Sequence, residues 1–137
     1  MRGAGLPERR IRVLVADDHP VVRRMVRASL QQHPHIELVG EAEDGVQAVE
    51  QAVKAKPDVV VLDISMPLMN GFQAAREIKK RVPRSAIVIL STHADKHFVE
   101  EAKKLGVRSY VAKSKVGERL LKAVQAAIQS EDFVVLD

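Results

Sequence analysis

The sequence has no cysteine and no tryptophan, and aromatic residues make up only 3% of it. Without cysteine there are no disulfides and no thiolate metal sites, and redox compartment has no direct marker. No apolar run approaches the roughly 20 residues needed to cross a bilayer. The opening MRGAGLPERR lacks the apolar region of a signal peptide. A cytoplasmic location without a membrane partner is therefore expected. A formal net charge of +4, spread over most of the chain and lacking interleaved aromatics, describes solvated helix faces rather than a nucleic-acid surface. Internal repeats and low-complexity segments are also absent. What is present is 137 residues, 46% hydrophobic and 29% charged, about one domain's worth of chain with enough apolar surface for a core.

Periodicity organises that chain. Residues 1–10 read as a flexible basic lead-in, 11–130 as the domain, and 131–137 as a tail that either packs back on the core or begins a linker. Short apolar runs rich in β-branched residues predict strands at Ile11–Ala16, Ile36–Ala42, Val59–Leu62, Ala86–Leu90 and Ser109–Ala112. Helical spacing predicts helices over 21–31, from 45 to near 56, from 71 to near 81, over 95–105 and over 116–130. Asp44-Gly45 and Asn70-Gly71 open the second and third, and Gly106 stops the fourth. The expected inward residues are Val21, Val22, Met25, Val26 and Leu30 in the first helix and Val46, Val49 and Val53 in the second. Phe72, Ala75 and Ile78 follow in the third, Phe98, Val99, Ala102 and Leu105 in the fourth, and Leu120, Leu121, Val124, Ala127 and Ile128 in the fifth. Arg23, Arg24 and Arg27 are expected to face out. Five strands alternating with five helices force parallel pairing and right-handed crossovers, hence a three-layer, doubly wound α/β sandwich.

The strand ends carry the chemistry. The central run Val59–Leu62 ends on Asp63; the first strand ends on Asp17-Asp18, the fourth on Ser91-Thr92-His93 and the fifth on Lys113. Taken singly, these residues have ordinary explanations: a turn or a cap for the acids and Ser91, a snorkelling surface lysine for Lys113. Parallel strands place all their carboxyl ends on one edge, so three acids, a hydroxyl and a lysine converge there. Clustered carboxylates require raised pKa values or a bound cation. An all-oxygen site with open positions suits Mg²⁺, or else Mn²⁺. A carboxylate beside a hard cation suggests phosphoryl chemistry, with Asp63 as the nucleophile and Lys113 and Ser91 on the transferred oxygens.

The motifs VLVADDHPVVRR, VVVLDISMPLMNG, VILST and SYVAKS resemble the receiver domain of bacterial two-component response regulators over about residues 11–130. The Asp-Asp-His-Pro start looks most like receivers of the class whose full-length members carry a LuxR-type helix-turn-helix. The resemblance implies a flavodoxin-like, five-stranded sheet in order 2-1-3-4-5, the order of the receiver protein used as a reference case for such folds, with two helices on one face and three on the other. It implies Asp63 as phosphoacceptor, Asp17, Asp18, Asp63 and the Ser65 backbone carbonyl as Mg²⁺ ligands, Lys113 as the conserved lysine, Ser91 as the switching hydroxyl and Tyr110 as the switching aromatic. Ser65 and Thr92 would tune dephosphorylation. For Tyr110 the plainer reading is a half-buried strand tyrosine with its hydroxyl in water. Two positions depart from the family. Ser114 stands where many receivers have a cis proline, so a trans Lys113-Ser114 bond is expected to move Lys113. Arg108-Ser109 replaces a small-residue approach to the fifth strand.

These residues lead to a switch, not an enzyme. The resemblance implies that a sensor histidine kinase or phosphotransfer protein would phosphorylate Asp63, and that the face formed by the fourth helix, fifth strand and fifth helix would then recruit a partner or dimerise. DNA binding would need an output domain of about 60 further residues. The competing readings are a metal-dependent phosphohydrolase, which lacks here a second acid two residues after Asp63, and a constitutive interaction domain that is never phosphorylated.

Overall fold

Alternating inward-facing residues set the two sides of the sheet. The computed structural model describes residues 10–92 and 96–136, so residues 1–9 of the expected lead-in, His93, the expected helix start at Asp95 and the last residue lie outside the description. The order is β1 (Ile11–Ala16), α1 (Pro20–Gln31), β2 (Ile36–Ala42), α2 (Gly45–Ala55), β3 (Val59–Asp63), α3 (Gly71–Arg81), β4 (Ala86–Ser91), α4 (Lys96–Lys104), β5 (Ser109–Ala112), a 3₁₀ turn at Lys113–Lys115, α5 (Val116–Gln129) and β6 (Val134–Leu136). On one face Leu14, Ala16, Val60, Leu62, Ile87, Ile89 and Tyr110 pack with residues of α2, α3 and α4. On the other, Val13, Val15, Val59, Val61, Val88, Leu90 and Val111 pack with α1 and α5. Period-2 strands thus feed two separate cores, the arrangement of a doubly wound sheet.

The sheet is parallel throughout, in order β2-β1-β3-β4-β5-β6. The expected five strands are corrected to six. The tail packs back, pairing Ser109 with Val134, Tyr110 with Val135 and Val111 with Leu136. Val134 and Val135 give it β-propensity, Phe133 reaches one core and Leu136 the other. The unusual Arg108-Ser109 step supports this strand. The Arg108 guanidinium donates to the carbonyls of Ala127 (2.8 Å) and Ser130 (3.0 Å), closing the C-terminal end of α5. The Arg108 carbonyl accepts the Val134 N–H (2.9 Å), and the Ser109 hydroxyl donates to the Ala123 carbonyl (3.3 Å).

The helix signals hold at their starts. Asp44 caps α2 through the Gln47 N–H (2.8 Å). Asn70 and Gln73 form a reciprocal capping box on α3, each bond 2.9 Å. Gly106 follows α4 with φ +79°, in the left-handed region that favours glycine. Several inward assignments are corrected. Val21 is 56% exposed and Met25 42%, because α1 buries a narrow stripe centred on Val26 and Leu30. Val46 in the first turn of α2 and Ile128 in the last turn of α5 are also exposed, since a helix end reaches past the sheet it covers. Arg23 is not an outward residue. It lies back over the end of β1, donating to the Asp17 carbonyl (2.6 Å) and pairing with Glu41 at 3.4 Å.

Candidate functional site

Strand register assembles the acids. Ala16 pairs with Leu62, and Asp63 with Leu90, so Asp17 and Asp63 leave neighbouring strands side by side. Ser91 pairs with Ala112, which brings Lys113 to the same edge. Two backbone devices hold the loops in place. Gly71 donates its N–H to the Ile64 carbonyl at 2.8 Å, and a Cβ there would sit 2.2 Å from the Asp63 carbonyl oxygen. Only glycine permits that approach of α3 to the Asp63 loop. Arg23 secures the other side by satisfying the Asp17 carbonyl.

The three acids and the lysine meet as expected. Lys113 Nζ lies 3.0 Å from Asp17 Oδ2 and 3.1 Å from Asp63 Oδ1, with the lysine side chain 11% exposed. The peptide bonds among the described residues are all trans, so the Lys113-Ser114 bond is trans. The expectation that a trans bond would displace Lys113 is corrected: the chain turns tightly through Lys113–Lys115, and the ammonium still reaches both carboxylates. Asp17 and Asp63 are buried, and Asp18 is about one-third exposed.

Electrostatics follow from that burial. Asp63 titrates above the ordinary carboxylate range, first because burial penalises its charge and second because Asp17 repels it. Lys113 and the Ser65 backbone N–H act the other way. Burial of Lys113 alone would lower its pKa, but hydrogen bonds and charge from Asp17 and Asp63 outweigh this and raise it. Asp63 Oδ2 is buried and has no hydrogen-bond partner among the described residues, an expensive state for a carboxylate oxygen unless something else meets it. Ligand atoms of Asp17, Asp18, His19 and Asp63 all lie within 4.8 Å of one another. The donor set, mostly hard oxygens with one unpartnered and buried, fits a small divalent cation.

The remaining sequence-derived residues lie around this pocket. Ser91 is buried at the end of β4, and Thr92 after it is exposed. Ser65 is exposed on the loop after β3. Tyr110 is 2% exposed in the core that includes Ala102 and Val107, more deeply placed than a half-buried tyrosine with its hydroxyl in water. Sequence reasoning gave no role to His19 or Arg23. His19 donates its N–H to Asp17 Oδ1 (2.9 Å), and its Nδ1 lies 3.0 Å from Asp17 Oδ1 and 3.1 Å from Asp18 Oδ1. Its position directly after an acid pair was the available signal.

Comparison with known proteins agrees with this geometry. Residues 13–125 match the model of the response regulator receiver domain. The transcriptional regulatory protein DegU of Brevibacillus brevis is 35% identical over 127 residues, covering 93% of this chain and 54% of DegU. The transcriptional regulatory protein LiaR of Bacillus subtilis is 36% identical over 121 residues, 88% of this chain and 57% of LiaR. The chain spans about half the length of these relatives. Among solved structures, the response regulator domain of Thermotoga maritima CheB superposes with a TM-score of 0.83 at 31% identity, covering 89% of this chain and 98% of that one. A LuxR-family two-component response regulator from Aurantimonas superposes with 0.84 at 30% identity, covering 91% and 89%. With its acids, lysine and strand order in that frame, the chain belongs to the response regulator receiver family.

Proposed function

We propose that this receiver is a phosphorylation-controlled switch with Asp63 as phosphoacceptor. The observation that carries the proposal is the Asp17–Lys113–Asp63 arrangement, with one Asp63 oxygen bound by the ammonium and the other buried and without a hydrogen-bond partner among the described residues. The free oxygen is the nucleophile. It attacks the phosphorus of a phosphohistidine on a sensor kinase or phosphotransfer protein. The P–N bond breaks, the imidazole departs with the electron pair, and an acyl phosphate forms on Asp63. Asp63 must be ionised to attack, and Lys113 offsets the burial that opposes ionisation. The ammonium then faces the new phosphoryl oxygens, where charge develops. Asp17, Asp18, Asp63 and the Ser65 carbonyl would hold Mg²⁺, or Mn²⁺, which would supply further positive charge at those oxygens.

Readout follows from the neighbours. The Ser91 hydroxyl bonds a phosphoryl oxygen, and Tyr110 responds on the next strand, biasing the α4–β5–α5 face toward a second conformation that recruits a partner or a second copy. Ser65 and Thr92, both exposed beside the pocket, tune the water that later hydrolyses the acyl phosphate. DegU and LiaR are named as transcriptional regulators. By analogy the output here is transcriptional and acts through a DNA-binding domain outside these residues. The test is intact mass after incubation with Mg²⁺ and acetyl phosphate, beside Asp63→Asn. One phosphoryl adduct on the wild type alone, abolished by prior chelation, supports the switch. No adduct with acetyl phosphate or with candidate kinases overturns it.

A further inference from the structure

We propose that β6 is a ligand the chain carries for its own α4–β5–α5 face: docked there it opposes the phosphorylated state, and phosphorylation of Asp63 loosens it. The inference rests on the reading of Asp63 as phosphoacceptor and of that face as the readout. The segment meets every element of the face. Its backbone pairs in parallel with β5, from Ser109–Val134 to Val111–Leu136. Phe133 packs against the core that contains Tyr110, where Phe98 and Val99 of α4 also pack. Leu136 packs against the opposite core, to which α5 contributes Leu120 and Val124. A sheet edge offers its N–H and C=O groups to one strand at a time. A partner that pairs along β5 therefore has to displace β6 first.

The strand is held shallowly. It has three residues, Val134–Leu136, and Val135 at its centre is 40% exposed. Glu131, which leads into it, pairs with Arg108 at 3.8 Å, but its side chain is 92% exposed. Segments with so few buried contacts open at the low end of a protein's stability range. Coupling to the pocket runs along one line of strand register. Ile89 of β4 pairs with Tyr110, and Tyr110 with Val135. Ser91 ends the strand that Ile89 belongs to. A movement of Tyr110 in response to Ser91 therefore disturbs the pairing of Val135 and the seat of Phe133 together. Coupling of this kind is reciprocal: the factor by which a phosphoryl group at Asp63 weakens β6 docking is the factor by which docking weakens binding of that group's mimic.

The test ties β6 down reversibly in the full chain. The sequence has no cysteine, so Ser109→Cys with Val134→Cys places a single pair of thiols at register-paired positions. Paired strands stand about 5 Å apart, within reach of a disulfide that reduction reopens. The probe is beryllium fluoride with Mg²⁺, which mimics a phosphoryl group on a carboxylate. It is expected to bind the oxidised protein at least about tenfold more weakly than the same protein reduced. In the wild type, saturating probe is expected to speed amide exchange at Val134 at least about tenfold; that N–H donates to the Arg108 carbonyl at 2.9 Å. Equal or tighter binding to the oxidised protein, or exchange at Val134 that is unchanged or slowed, overturns the role of β6 and leaves the phosphoacceptor standing. Failure of the probe to bind the wild type, with no phosphoryl adduct from acetyl phosphate, overturns both.

Discussion

Replacing Lys113 with methionine should unfold the metal-free protein far more easily than a surface lysine would. Two carboxylate oxygens lie 3.0 and 3.1 Å from the ammonium. At an effective dielectric near 20, each contact is worth about 5 kcal/mol of gross attraction. Burying the ammonium itself costs several kcal/mol, so the net is smaller. Methionine keeps most of the packing and removes the charge, leaving Asp17 and Asp63 buried beside each other. Breaking a buried pair in this way costs about 3–5 kcal/mol. Asp63 relieves part of the strain by holding its proton, which places the expected loss near 3 kcal/mol at neutral pH. The assay is urea unfolding followed by circular dichroism in EDTA, for the wild type, Lys113→Met, Asp63→Asn and the double variant. The double variant should recover most of the loss, because removing one acid charge removes the repulsion the lysine was offsetting. A loss under about 1 kcal/mol for Lys113→Met, or a double variant no more stable than the sum of the singles, would refute the reasoning.

Three other outcomes are expected. Gly71→Ala places a Cβ 2.2 Å from the Asp63 carbonyl oxygen and should cost at least about 2 kcal/mol in the same assay; a cost under about 0.5 kcal/mol would mean the loop gives way freely. Arg108→Ala removes two bonds to the end of α5 and should cost about 1–2 kcal/mol, with faster amide exchange at Val134; unchanged exchange there would separate Arg108 from β6. For pH, Asp63 binds its proton more tightly folded than unfolded, chiefly through burial. The folded state therefore holds more protons in that window, and its stability falls as pH rises from about 4, where an unfolded aspartate ionises, through the raised folded value. Asp63→Asn cannot ionise, so its stability in EDTA should gain on the wild type across that range. A constant difference between the two would contradict the burial of Asp63.

Much of this fold could be read from the chain because the signals were redundant. The strands β1, β3 and β4 are apolar runs rich in β-branched residues that lead into a polar residue at the strand end, and α2 and α3 begin at the capping residues Asp44 and Asn70. The site was legible for a related reason: parallel strands fix where their ends go, whatever the details of packing. Less was legible where one residue's fate depends on distant partners. Val134–Leu136 is too short an apolar run to tell a strand from a linker without knowing that β5 offers an open edge. Arg23 carries the helical spacing of a solvent-facing residue, yet the Asp17 carbonyl draws it inward. Val21 and Met25 have the spacing of a buried stripe but sit beyond the surface that α1 covers. Ser114 in place of proline raised doubt about Lys113 because sequence shows the lost ring but not the turn at 113–115 that compensates.

The sixth strand also decides the direction in which the polypeptide travels. In an alternating fold each strand runs to the edge that bears the acids, and each helix carries the chain back to the opposite edge. A receiver that finished with α5 would hand its chain on at the rear. Here β6 runs forward again beside β5, and Leu136 arrives opposite Val111, two residues before Lys113. Neighbouring strands are about 5 Å apart, so polypeptide joined beyond β6 sets out from the acid-bearing edge, one strand away from the lysine that grips Asp63. A module tethered there would start its reach at the mouth of the pocket rather than at the back of the sheet.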